Sequence, residues 1–283
     1  MTNFPIVTPA HKPSIGMMIL EADTPHPQTA SRKGSFAQIL HRHFAVAGEA
    51  HTPPLNVVSN NVFLIPSQGG RVPKFSDFAQ SHAVLITGSM HDAHGDDPWI
   101  LELLGVLREV WTKRPDVRFS GVCFGHQILC RLLGSEVAPS PSQDWELGHC
   151  RVQLNGIGKR LFRTEEGEVF LHQMHQDHVV AAPEPGREGG LVEEGTRVEV
   201  WGYSEHTAVQ GVYIPGRLFT TQAHLAFDEG MVRRQIDMRV EMGSIEDVEG
   251  ADVAAETAGL EHDGDVVAAA ILRFFHGEDD GGV

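Results

Sequence analysis

The chain contains no apolar run near the length that a bilayer requires, so membrane-spanning helices are not expected. Its three cysteines are odd in number and widely spaced, and they offer neither a disulfide framework nor a zinc pattern. No basic segment followed by an apolar one opens the chain, and with the unpaired cysteines this points to a reducing, cytoplasmic setting. Positive charge is scarce. Against 38 acidic residues stand 22 basic ones, a formal net charge of −16, so no basic patch is available for phosphate and neither nucleic acid nor an anionic membrane is an expected partner. No P-loop, dinucleotide fingerprint or synthetase domain is recognisable, and no cofactor is expected. A long Ser/Gly linker is also missing. With 283 residues, 41% of them hydrophobic, the expectation is a loose tail over residues 1–14 and a single domain over 15–283.

What is present alternates between apolar runs and amphipathic stretches. Ile15 to Leu20, Leu55 to Ile65, His82 to Thr87 and Val117 to Val122 read as strands, with helices over Ser31 to Val46 and Pro98 to Thr112, the latter with Pro at its first turn. This order predicts an open, mostly parallel α/β sheet flanked by helices, with ligands at the carboxyl ends of its strands. Past Gly134 the strands shorten: His149 to Leu154, Val169 to Gln173, Arg197 to Tyr203, Ala208 to Tyr213 and Arg217 to Gln222. The second half therefore reads as an antiparallel extension that returns a strand to the first half, followed by helices near Glu229 to Met242 and Gly264 to Phe275. The acidic stretches at Glu184 to Glu199 and after Glu241 read as solvated loops and helix faces.

The strongest local signal is RFSGVCFGHQILCRLLG, residues 118 to 134. A strand leads into Cys123, and an apolar-periodic helix (Ile128, Leu129, Leu132, Leu133) leads away to Gly134. Gly121 and Gly125 flank the thiol and leave the backbone room for a sharp, strained turn. At a helix N-terminus, unpaired N–H groups and the positive dipole end favour thiolate and can hold an oxyanion. Cys130, inside the helix, and Cys150, in a strand, read as inert buried thiols.

The run Gly121, Cys123, Gly125, Gln127 resembles the G-x-C-x-G-x-Q elbow of the class I glutamine amidotransferase family, and the similarity extends from Ile15 to about Phe275. The chain looks most similar to stand-alone fungal and plant members of the gamma-glutamyl peptidase type. The resemblance implies a flavodoxin-like sheet, Cys123 as nucleophile and His224 as its base. It implies an oxyanion hole from the Ser89 and Phe124 N–H groups beside Gly88, and substrate contacts from Gln127, Met174 and His175. The segment Met174 to Val179 resembles the family's S-H-x-D-x-V stretch. His172, His175 and His178 stand three apart, a spacing that does not converge on one ion in an extended segment, so no metal is expected.

The chain departs from the family at one point. The family pattern Q-G-H-P-E-F places a carboxylate two residues after the histidine, and here that position is Ala226. Three arrangements accommodate this. Asp228 or Glu229 takes over the orienting role, a Cys123–His224 dyad works alone, or the protein serves another purpose. The expected function is a cysteine-dependent enzyme acting on glutamine or a gamma-glutamyl compound through a glutamyl thioester, with a synthetase or acceptor enzyme as a possible partner. The alternatives are a repurposed non-glutaminase in specialised metabolism and a catalytically silent binding protein.

Overall fold

The computed structural model describes residues 12–278. Most of the 1–14 tail lies outside the described residues, and Ser14 already belongs to the first strand. Nine strands form one sheet in the order β2-β1-β3-β4-β11-β10-β9-β6-β7. β1 (Ser14–Glu21), β2 (Asn56–Phe63), β3 (Ala83–Ile86), β4 (Arg118–Val122) and β11 (Leu218–Thr221) run parallel. β10 (Gly211–Ile214), β9 (Glu199–Tyr203), β6 (Glu146–Leu154) and β7 (Glu168–His175) continue it antiparallel. A separate two-stranded ribbon pairs β5 (Val137–Pro139) with β8 (Asp177–Val179).

Successive side chains of a strand leave by opposite faces, and β1 uses both. Met18 and Leu20 pack with Trp99, Leu103 and Leu107 of α3 (Pro98–Lys113) and Ile128 of α4 (Phe124–Leu132). Met17 and Ile19 pack with Phe44 of α2 (Phe36–Ala50) and Ile271 and Phe274 of α8 (Gly264–His276). A third cluster lies under α6 (Glu229–Glu241), where Met231, Val232 and Ile236 meet Ile39, Met174 and Phe227. The chain order reverses across β1, which has β2 on one side and β3 on the other. The carboxyl ends of β1, β3 and β4 therefore surround a switch point where open α/β sheets accept ligands.

The expected helix over Ser31 to Val46 is two helices. α1 (Pro27–Lys33) starts at His26, whose Nδ1 accepts the Gln28 N–H at 3.3 Å, and Gly34 ends it at φ 76°. Ser35 then opens α2 with a reciprocal capping box to Gln38. α5 (Gly156–Phe162), α7 (Val248–Glu256) and the β5–β8 ribbon also escaped the sequence reading. α7 lies in the acidic stretch past Glu241, and Ala251 is its only buried residue. Such a helix leaves almost no apolar period to detect.

Candidate functional site

Cys123 sits between β4 and α4 at φ 52°, ψ −109°, a conformation that costs a non-glycine residue about 1–3 kcal/mol. The neighbouring glycines permit it by close approach. A Cβ at Gly121 would lie 2.2 Å from the Gly125 carbonyl carbon, and one at Gly125 would lie 2.2 Å from the Ile86 oxygen. The Cys123 N–H donates to the Thr221 carbonyl (2.9 Å), which fastens the turn to β11. Its Sγ lies 4.0 Å from the Met174 carbonyl oxygen.

His224 follows β11, and its N–H donates to the His172 carbonyl (2.9 Å). Its ring stacks on Phe227, with centroids 4.0 Å apart and planes 13° apart. The His172 ring stands 3.0 Å from the Phe227 carbonyl through Nδ1, so this histidine holds both ends of the loop that carries His224. Gly88 fills the gap between imidazole and thiol: a Cβ there would lie 2.8 Å from His224 Cε1 and 3.6 Å from Cys123 Cβ. Neither carboxylate considered as a substitute for the family's glutamate serves His224. Asp228 caps α6 by accepting the Met231 N–H at 2.9 Å and pairs with Lys33. Glu229 pairs with Arg233 at 3.0 Å. Ala226 lines, with Phe36, Ile39 and Met238, a pocket that Cys123, His224, Gly88 and Arg239 also line.

Burial sets the resting protonation. It pushes the Cys123 thiol up to about 11, against the opposing influence of Arg239, the Phe124 N–H and Gln222. Burial likewise takes His224 down to about 3, reinforced by Arg239, His175 and His172. The thiolate expected from the helix N-terminus is therefore corrected to a neutral thiol beside a neutral imidazole, because desolvation outweighs the end of a nine-residue helix.

The other residues meet in a cleft of about 470 Å³, lined by Cys123, Ser89, Gln127, Met174, His175 and Arg239 among others. Gly88 lines the pocket that Cys123 and His224 share. The Thr87 hydroxyl accepts the Ala22 N–H (2.9 Å) and donates to the Gly88 carbonyl (3.0 Å). In a trans peptide the next N–H points the opposite way, so that of Ser89 is turned from Thr87. Gln127 donates its amide nitrogen to the Asp177 carbonyl (2.9 Å) and to Gln222 Oε1 (3.2 Å), bracing α4 against β8 and the end of β11. His175 is drawn toward Glu146, with Nε2 and Oε2 2.9 Å apart.

Arg239 of α6 was not found from the sequence. It is 8% exposed, its Nη1 donates to the Gln235 carbonyl (3.1 Å) and Oε1 (2.6 Å), and its guanidinium lies 5.6 Å over the Trp145 ring. No carboxylate among the described residues lies within ion-pair distance of it. Burial lowers its pKa. Carboxylates do line the cleft. Asp23 accepts the Thr24 and Met90 N–H groups, each at 2.7 Å, and Asp177 stands 3.1 Å from His94 Nδ1. The cleft thus presents a buried cation and several carboxylates around one thiol.

A glutamine amidotransferase-like protein of Schizosaccharomyces pombe is 28% identical over 258 residues, 90% of this chain and 96% of its own. By sequence the chain is similar to glutamine amidotransferase-like proteins. Gamma-glutamyl peptidase 2 of Arabidopsis thaliana is 27% identical over 169 residues, 59% of this chain and 62% of the peptidase, so the match spans less than two thirds of that relative. A glutamine amidotransferase of Thermotoga maritima shares the fold with a TM-score of 0.61 at 16% identity, covering 94% of this chain and 99% of its own. No protein-family profile matches the chain. The expected α/β class, with its parallel flavodoxin-like half and antiparallel extension, agrees with this likeness and with the observed strand order. No helix among the described residues is long and apolar enough to cross a membrane.

Proposed function

We propose that the protein cleaves the side-chain amide of glutamine or of a gamma-glutamyl compound through a thioester on Cys123. One observation carries this reading: a strained elbow thiol opens onto the same cleft as a buried arginine that has no carboxylate partner among the described residues. A gamma-glutamyl group brings an α-carboxylate for Arg239 and an ammonium for the acidic wall of Asp23, Asp92 and Asp177. Its amide carbonyl then reaches the thiol.

Sγ attacks the carbonyl carbon while its proton passes to His224, and the oxyanion is held by the N–H groups of Phe124 and Ser89. His224 returns the proton to the leaving amine as the C–N bond breaks. Water, or an acceptor amine, attacks the thioester and restores the thiol. Stacking on Phe227 and the His172 brace orient the imidazole where the family uses a carboxylate. The single neutral pair suits a thiol nucleophile, since cysteine needs less activation than serine.

The test is release of glutamate and amine from glutamine and from a gamma-glutamyl dipeptide, with intact-mass capture of the acyl enzyme. Wild type is expected to turn over at least one of them and to carry one glutamyl group, and Cys123→Ala to do neither. Turnover that survives Cys123→Ala overturns the assignment. Arg239→Met is expected to raise KM at least about tenfold, the scale of a charge-assisted carboxylate contact. A second reading, a repurposed non-glutaminase, is favoured by Ala226 alone. It is supported if the thiol is alkylated by glutamine analogues while neither substrate yields glutamate.

A further inference from the structure

At the end of β7, three side chains far apart in sequence converge. Glu146 and His175 are buried, His206 is half-buried, and their nearest ligand atoms all lie within 4.8 Å of one another. Glu146 Oε2 is 2.9 Å from His175 Nε2 and 3.8 Å from His206 Nδ1. The far nitrogen of each ring faces a backbone carbonyl: His175 Nδ1 that of Asp177 (2.9 Å), His206 Nε2 that of Asp144 (3.0 Å). Carbonyls only accept, so those far nitrogens carry the hydrogens. In the neutral rings this leaves the lone pair of His175 Nε2 facing the Glu146 carboxylate at 2.9 Å, while that of His206 Nδ1 takes the Thr207 hydroxyl at 2.8 Å. Two acceptors held as close as His175 Nε2 and Glu146 Oε2 require a cation between them, either a proton or a metal ion.

We infer that Glu146, His175 and His206 form a binding site for a zinc-like divalent cation. Two imidazoles and a carboxylate suit a borderline-soft ion, and three protein ligands leave a further position for water. Backbone carbonyls orienting both imidazoles are the outer shell that such sites use, and the Gln210 amide, donating to Glu146 Oε2 at 2.9 Å, extends it. The Thr207 hydroxyl, 2.8 Å from His206 Nδ1, gives way when the ion binds. A surface hollow of about 410 Å³ lined by Glu146, His206, Ser204 and Glu205 provides the entry path. Cys150 also lines it, but its thiol donates to the Leu147 carbonyl at 3.2 Å and is not a fourth ligand. The expectation that His172, His175 and His178 do not gather on one ion is compatible with this site, because His175 takes its partners from β6 and from the loop after β9. Metal here pins the end of β7, where Met174 lies beside Cys123.

The experiment is a zinc titration by calorimetry on the full chain carrying Cys123→Ala, which removes the competing thiol, after chelator treatment. One equivalent is expected to bind and to raise the melting temperature. Adding His206→Ala is expected to lower the affinity at least tenfold. Glu146→Gln provides a second variant. The inference is overturned if no stoichiometric binding occurs, which would leave a proton as the bridging cation. It is equally overturned if His206→Ala binds as tightly, which would put the ion elsewhere, for instance at His51, His276 and Glu278.

Discussion

Alkylation of Cys123 as a function of pH is expected to behave as a buried thiol dictates. With the thiol at about 11 against an ordinary 9.0, the thiolate fraction near pH 7.5 is smaller by about a hundredfold than for a free cysteine. A thiolate of higher pKa is the better nucleophile, and a Brønsted slope of about 0.4–0.5 returns close to tenfold of that loss. The net rate should therefore fall about tenfold below that of a free thiol, before any effect of access. It should climb tenfold per pH unit from 7 to 10 without a plateau. His224, held near 3, does not become an imidazolium anywhere in this window and so adds no second inflection. The assay is iodoacetamide labelling quenched at intervals and read by intact mass, in the wild-type chain and in Cys130→Ala. A plateau below pH 8 would mean a preformed thiolate–imidazolium pair and would refute the argument from burial.

Ala226→Glu is expected to raise glutamine turnover about tenfold or more if its carboxylate reaches the imidazole, measured as glutamate release; unchanged turnover would mean that the Phe227 stack has taken over the orienting role. Gly88→Ala is expected to cost about a hundredfold in turnover, because its Cβ would lie 2.8 Å from His224 Cε1 while Phe227 blocks retreat of the ring, and normal kinetics in a folded variant would contradict this packing. Acid should destabilise the fold. His126 and His224, both at about 3 in the folded chain, take up protons near 6.5 once unfolded, so their stabilising effect is complete above 6.5 and lost as pH falls toward 3. At 1.36 kcal/mol per unit, each removes about 2 kcal/mol by pH 5, and urea midpoints at pH 7 and 5 measure it; equal midpoints would sink the claim.

The parallel half was legible because β1, β3 and β4 are short runs buried on both faces, bounded by turn residues, and the elbow was legible because its glycines are required by contacts one can anticipate from a sharp turn. The start of α1 was hidden. His26 and Pro27 begin it with a cap that also reads as a proline-rich turn. Arg239 was invisible for a different reason. It stands on a helix of weak amphipathic pattern, and nothing local to RQIDMRVEM says that this arginine, unlike Arg233, turns inward against Trp145. The protonation of Cys123 was misjudged because a sequence reveals the helix end but not the burial that outweighs it.

Thr221 faces Val122 across the β4–β11 ladder, so the segments that carry Cys123 and His224 leave the sheet from one rung. Their separation is then set by rigid backbone pairing, while the arginine, the tryptophan under it and α7 come from segments outside the parallel core. Changes in those outer segments would alter what fills the cleft and leave the spacing of Cys123 and His224 intact.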